Sequence, residues 1–232
     1  MKIKGFTLAE VLITIGIVGV VATMTMPALV QKYRTVEYTS KIKKAYTTLS
    51  VAMNEYLRSS SADKLSQTAF INNAQEELKK VLRVVASGRL SSDLYQDAIM
   101  QITTLSDVTI NPGNYNEFAA NRGIITADGT LIAISDIQGN YEATDTSVVY
   151  KIAIDTNGQK KPNQFGRDIF FYDILNNGDV SPRGGGEGTE GISGAYISGV
   201  SGISYDHDCY RNGGYGTTCS AILMDAGWEM NY

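Results

Sequence analysis

One carboxylate in an otherwise uncharged stretch constrains this chain more than any other feature. From Phe6 to Val30 the single ionisable side chain is Glu10. The stretch is long enough to cross a bilayer as a helix, which takes about 20 apolar residues. A carboxylate inside such a span is expensive and by default marks a function with a partner. Secretory signals keep their apolar core free of charge and end in small residues. Glu10 therefore needs a cation, and its own stretch supplies none.

The residues just before it offer one. Lys2 and Lys4 precede a Gly5-Phe6 junction. A cut between Gly5 and Phe6 creates an amine at Phe6. That amine lies too close along the helix to meet its own Glu10 in good geometry, but it can meet the Glu10 of a neighbouring subunit. Buried together, the two charges satisfy each other, and either alone is costly. Such a pair sets the register of a helical assembly.

The run Lys4-Gly5-Phe6-Thr7-Leu8-Ala9-Glu10, with helix irregularities at Gly19 and Pro27, resembles the type IV pilin and type II secretion pseudopilin family. The resemblance covers roughly the first 30 residues. It implies that residues 1–5 are a leader removed after Gly5 by a prepilin peptidase, which then methylates the Phe6 amine. It implies that residues 6–30 form a helix that spans the membrane and later the filament core. It also implies an inner-membrane assembly platform, membrane lipid and other pilin subunits as partners. The C-terminal domain is then extracytoplasmic, and the final location is a periplasmic or extracellular filament. The competing reading is a secretory signal or plain anchor, with poor cleavage sites at Ala22-Thr23-Met24 or Met26-Pro27-Ala28. Positive charge disagrees with the implied topology. Lys32, Arg34, Lys41, Lys43 and Lys44 follow the span and outnumber the leader lysines, which by count puts the C-terminal side inside. The more specific Gly-Phe-Glu motif outweighs that count.

Beyond the span about 200 residues remain, enough for one domain with a core. Losing Lys2 and Lys4 leaves 18 basic residues against 24 acidic and moves the net charge from −4 to −6. A mildly acidic domain is not a nucleic-acid binder by charge. Fourteen Tyr, 23 Gly and one His lean towards a β-rich, loop-rich exported domain.

Residues 31–60 continue the helix as an amphipathic half. Ile42, Ala45, Leu49, Ala52, Met53, Tyr56 and Leu57 fall on one face of a 3.6-residue period. Residues 61–232 form the exported domain. Phe70–Ala86 carries a second helical stripe (Phe70, Ile71, Ala74, Leu78, Val81, Leu82, Val85) that stops at Ser87-Gly88. Ser91–Met100 is a short third helix candidate, and Asn111–Asn114 a turn cluster. Asp128-Gly129 between β-formers marks a hairpin. Ser147–Asp155 and Asp168–Leu175 read as further strands, and Asn176–Asp179 as a turn. The segment from Cys219 to Trp228 looks like a closing strand, with Trp228 as a packing aromatic. A long helix on an antiparallel meander is an α+β fold, as the resemblance also implies. Residues 184–202 are a glycine-dense loop, read as a spacer or a variable recognition surface.

Cys209 and Cys219 are the only cysteines. In an exported domain they read as a disulfide closing a C-terminal loop, worth about 2.5–3 kcal/mol in the chain-entropy picture. The resemblance implies the same bond. A metal site with Asp206, His207 or Asp208 lacks the four N/S ligands zinc prefers. Asp155, Asn157 and Gln159, followed by Pro162-Asn163 and Gly166-Arg167-Asp168, place oxygens like the front of a calcium loop. Gly166 stands where an EF-hand needs its bidentate Glu. Calcium held by Asp155, Asn157 and Asp168 is one reading, and a turn that needs no ion is the other. No nucleophile elbow, phosphate loop or metalloprotease motif is present, so the chain is not read as an enzyme.

The expected function is a structural subunit of a type IV pilus or a type II secretion pseudopilus, serving protein secretion, adhesion or DNA uptake. The strand-loop-strand around Asp155–Asp168 leans towards the pseudopilin side. The alternative is a monomeric, membrane-tethered binding domain that uses a pilin-type leader.

Overall fold

The computed structural model describes residues 5, 7–90, 94, 102–110, 122–136, 148–158, 160–183, 209, 214, 216–230 and 232. The chain divides into two compact units, Met1–Glu37 and Tyr38–Tyr232.

Helix α1 runs from Leu8 to Ser60 with Pro27 inside it. Its first part has the composition of a membrane span: one helix among the described residues is long and apolar enough to cross a bilayer. Leu12, Ile15, Ile17 and Val18 are each about two-thirds exposed. The threonines within this stretch turn their hydroxyls onto their own backbone. Thr14 donates to Val11 O, Thr23 to Gly19 O and Thr25 to Val21 O, which removes the cost of bare hydroxyls in an apolar setting.

In the second unit all seven residues of the predicted stripe from Ile42 to Leu57 are buried. They cover one face of a six-stranded antiparallel sheet whose order follows the chain. The strands are β1 (Val84–Gly88), β2 (Arg122–Thr126), β3 (Leu131–Asp136), β4 (Val148–Asp155), β5 (Ile169–Leu175) and β6 (Val180–Pro182). Side chains alternate across a sheet, and here both faces are covered. Ile132, Ile152, Ile154, Phe170 and Tyr172 join Leu49 and Met53 in one core. Leu131, Ala133, Ala153, Ile169 and Phe171 build a second core with Leu90, Ile102 and Phe165. This is why β5 reads Ile-Phe-Phe-Tyr-Asp-Ile-Leu, with every residue buried.

The Asp128-Gly129 hairpin forms as predicted. Gly129 N donates to Thr126 O and Thr126 N to Thr130 O, both at 2.9 Å. Gly129 sits at φ +85°, the left-handed position that closes a three-residue loop. The turn at Asn176–Asp179 repeats this geometry with Gly178 at φ +86°.

Two local expectations fail. The helix expected over Phe70–Ala86 is only a 3-10 turn (Ala69–Ile71) and α2 (Ala74–Val81). Leu82 is already extended, and Val84–Gly88 is strand β1, paired with β2. The β-branched pair Val84-Val85 suits a pleated edge, and pairing with a distant strand overrides the helical stripe. Phe70, Ala74, Leu78 and Leu82 are buried as expected, whereas Val85 is 68% exposed. The closing strand from Cys219 is instead α3 (Cys219–Asp225). Its Ala, Leu and Met favour a helix. The helix ends in a Schellman turn, in which Trp228 N donates to Leu223 O at 2.8 Å. Ser91–Met100 (Leu94 apart), Asn111–Asn114 and the glycine-dense loop 184–202 lie outside the described residues.

Candidate functional site

At the N-terminus, Thr7 and Glu10 form a capping box around the first turn of α1. Thr7 N and Thr7 Oγ1 both donate to Glu10 Oε2 at 2.8 Å, and Glu10 N donates to Thr7 Oγ1 at 3.3 Å. This arrangement satisfies two donors that a helix start otherwise leaves bare. The Thr-x-x-Glu spacing was present in the sequence as a capping signature. Sequence reasoning treated Glu10 only as a partner for another chain and missed its local one. Phe6 lies outside the described residues. Gly16 and Gly19 have open space where a Cβ would stand, so their surroundings within one chain place no demand for glycine. Pro27 continues the helix without an N–H to give.

The second site is the β4–β5 connection. It brings Asp155, Asn157 and Asp168 together. Asp168 is fully buried. Its Oδ2 accepts from Asn163 N at 2.9 Å and Asn157 Nδ2 at 3.0 Å, and its Oδ1 from Gln164 N at 2.6 Å. Asp155 Oδ1 accepts from Asn157 N at 3.0 Å. Burial pushes the Asp168 carboxyl up to about 6, against the pull of these N–H donors.

As arranged, Asp168 is turned to N–H donors rather than to calcium. The ion takes six to eight oxygen ligands. Both Asp168 oxygens face N–H donors, and Asn157 turns its nitrogen to Asp168 while its Oδ1 is buried without a hydrogen-bond partner. A cation here would have to displace three donors. Among the described residues no group of three or more His, Cys, Asp or Glu is placed to hold a metal. Gln159, Asp206, His207 and Asp208 lie outside them.

The loop carries the C-terminal segment. Cys209 and Cys219 form the expected disulfide, with Cα atoms 5.1 Å apart. Cys219 sits against Gly166: a Cβ on Gly166 would lie 2.6 Å from Cys219 Sγ. Gly216 is equally confined: a Cβ there would lie 2.7 Å from Phe165 O. The chain end returns to the same place, where Tyr232 Oη donates to Gly166 O at 3.0 Å. Trp228 packs on Tyr46, and Tyr46 on Tyr172, each with ring centres 5.5 Å apart.

A buried ion pair completes this end. Arg183 Nη2 lies 2.9 Å from Asp173 Oδ1, with both side chains almost fully enclosed. The guanidinium also stands 5.2 Å from the centre of the Phe171 ring.

Compared with known proteins, residues 1–26 match the family described as the prokaryotic N-terminal methylation motif. This is the leader of type IV pilins and pseudopilins, and it supports a pilin-like precursor. No curated protein and no solved structure matches the chain. The motif together with the α+β fold indicates a structural subunit, and the apolar start of α1 fits a membrane-anchored precursor.

Proposed function

We propose that this chain is a filament-forming pilin-like subunit. It is cut after Gly5 by a prepilin peptidase, methylated at Phe6, and assembled from the membrane into a pilus or pseudopilus. The observation that carries this reading is the isolated carboxylate of Glu10 within the matched motif. Among the described residues Glu10 is held by Thr7, at the start of a helix whose large apolar side chains between Leu8 and Val30 lie exposed. A bilayer covers such a surface before assembly, and neighbouring helices cover it afterwards. The new amine of a neighbouring subunit then supplies the missing cation.

The strand-loop-strand from β4 to β5 favours the secretion pseudopilus over a surface pilus. The loop is locked by Asp168 rather than left free as a recognition surface. Its partners are then copies of itself or other pilins, the assembly platform and membrane lipid.

Intact mass of the protein extracted from its host tests the processing step. The expected mass lacks residues 1–5 and carries one added methyl group. An uncut mass, or a cut near Ala28, sinks the reading. Fractionation tests assembly. Recovery in sheared filaments supports the subunit, whereas recovery in membranes alone supports a tethered monomeric domain.

A further inference from the structure

We propose that the recess between α1, the β2–β3 turn and the end of α2 binds a medium-chain aliphatic carboxylate. The proposal stands apart from the filament reading and uses none of the N-terminal residues. The recess holds about 400 Å³, within the range of about 300–1,000 Å³ typical of small-molecule sites. Its floor is apolar. Ala45, Leu49, Leu82 and Ile132 line it, each less than a tenth exposed.

Charge at the mouth selects the ligand. Lys44 Nζ meets Asp128 Oδ2 at 2.7 Å, tying the helix to the hairpin turn. Thr126 Oγ1 donates to Asp128 Oδ1 at 2.6 Å and fixes that carboxylate. These two charges cancel. Arg83 remains. Its carbonyl accepts from Ala127 N at 2.8 Å, which anchors its backbone in the wall. The residue is exposed, it lines the recess, and its side chain has no ion-pair partner among the described residues. The lining therefore carries one net positive charge above an apolar floor.

A monoanion with an aliphatic tail answers both features. Its carboxylate meets the planar Arg83 fork, and its chain lies on Leu49, Leu82 and Ile132. A dianion would bring its second charge towards Asp128. A folded protein partner needs more than about 1,000 Å² of interface, which a single recess does not offer.

Octanoate is the probe. It is titrated into the mature full-length chain in nanodiscs of neutral lipid, and the methyl NMR signals of Leu49, Leu82 and Ile132 are followed. These report the recess itself, whatever partitions into the disc. Saturable shifts are expected. Octylammonium, with a similar tail and the opposite charge, should bind about ten-fold more weakly, as should octanoate to Arg83→Gln. Thr48→Trp, at an exposed position on the wall, should block the shifts while leaving the rest of the spectrum in place. Absence of saturable shifts overturns the proposal. So does equal binding of octylammonium, undiminished binding to Arg83→Gln, or binding that survives Thr48→Trp.

Discussion

Asp173 on β5 and Arg183 just beyond β6 face each other at 2.9 Å, both almost wholly enclosed. Asp173 pairs with Ser181 across the two strands, which brings residue 183 within reach. Ser220 Oγ lies 2.6 Å from Phe171 O and 3.1 Å from Arg183 O, so α3 rests on the same corner. Breaking a buried pair leaves one charge uncompensated. Asp173→Ala should therefore destabilise the domain by about 3–5 kcal/mol in chemical denaturation. The double change Asp173→Leu with Arg183→Met should recover most of that loss. Equal losses in the single and double variants would show that the pair is not the cause.

Gly166 occupies a position that only glycine fits. It takes φ +71° and leaves no room for a Cβ beside Cys219 Sγ. Gly166→Ala combines an unfavourable backbone region with a clash against a disulfide that cannot move away. The expected result is a lower Tm and a disulfide that reductant opens faster, read by thiol labelling. Gly129 offers a control. It takes φ +85°, yet nothing lies within 4 Å of its Cβ position, so Gly129→Ala should show the backbone cost alone.

Asp168 makes stability depend on pH in an uncommon direction. Its carboxyl sits at about 6 in the fold against an ordinary 3.8. Between those values the native state holds a proton that the unfolded chain has released. This group's contribution therefore falls as pH rises from about 4 to about 6, and it is level above that. The difference is on the order of 3 kcal/mol. Denaturation of the wild type and Asp168→Asn across this window should show the slope in the first and its loss in the second. Parallel curves would discard the assignment.

The same carboxylate bears on calcium. Its oxygens are occupied by Asn163 N, Gln164 N and Asn157 Nδ2. Tm should therefore be the same in millimolar calcium and in chelator. A calcium-dependent rise in Tm that disappears in Asp168→Asn would show that the loop exchanges its N–H donors for the ion.

What the sequence made legible was local. The stripe from Ile42 to Leu57 and the Asp128-Gly129 turn depend on neighbours a few residues away, and both formed as read. Strand β1 did not show, because Val84-Val85 becomes a strand only when Arg122–Thr126 arrives to pair with it. Helix α3 was legible in part: Ala221, Leu223 and Met224 favour a helix, but the apolar run Ala221–Met224 is too short to tell helix from strand by periodicity. Asp173 was not singled out within the strand read over Asp168–Leu175. Its partner Arg183 could not be named without the β5–β6 register. At the N-terminus the intersubunit role suggested for Glu10 drew attention away from Thr7, three residues earlier.

That neighbour yields the most discriminating test of assembly. Thr7 donates only to Oε2 of Glu10, so Oε1 can meet an amine from another subunit while the cap stays in place. The two residues should then separate in their effects. Glu10→Val removes the anion; cleavage after Gly5 should proceed, and filament yield should collapse. Glu10→Gln keeps a polar side chain but loses the charge, and it should behave like Glu10→Val if the pairing is ionic. Thr7→Val removes only the hydroxyl of the cap, a loss of about 1 kcal/mol to the helix start, and the Thr7 backbone N–H remains. Its filament yield should stay well above that of either Glu10 variant. Sheared-filament yield and leader cleavage, measured together, decide the matter. Normal filaments from Glu10→Gln would mean that hydrogen bonding rather than charge sets the register. Normal filaments from Glu10→Val would mean that Glu10 serves only as the helix cap.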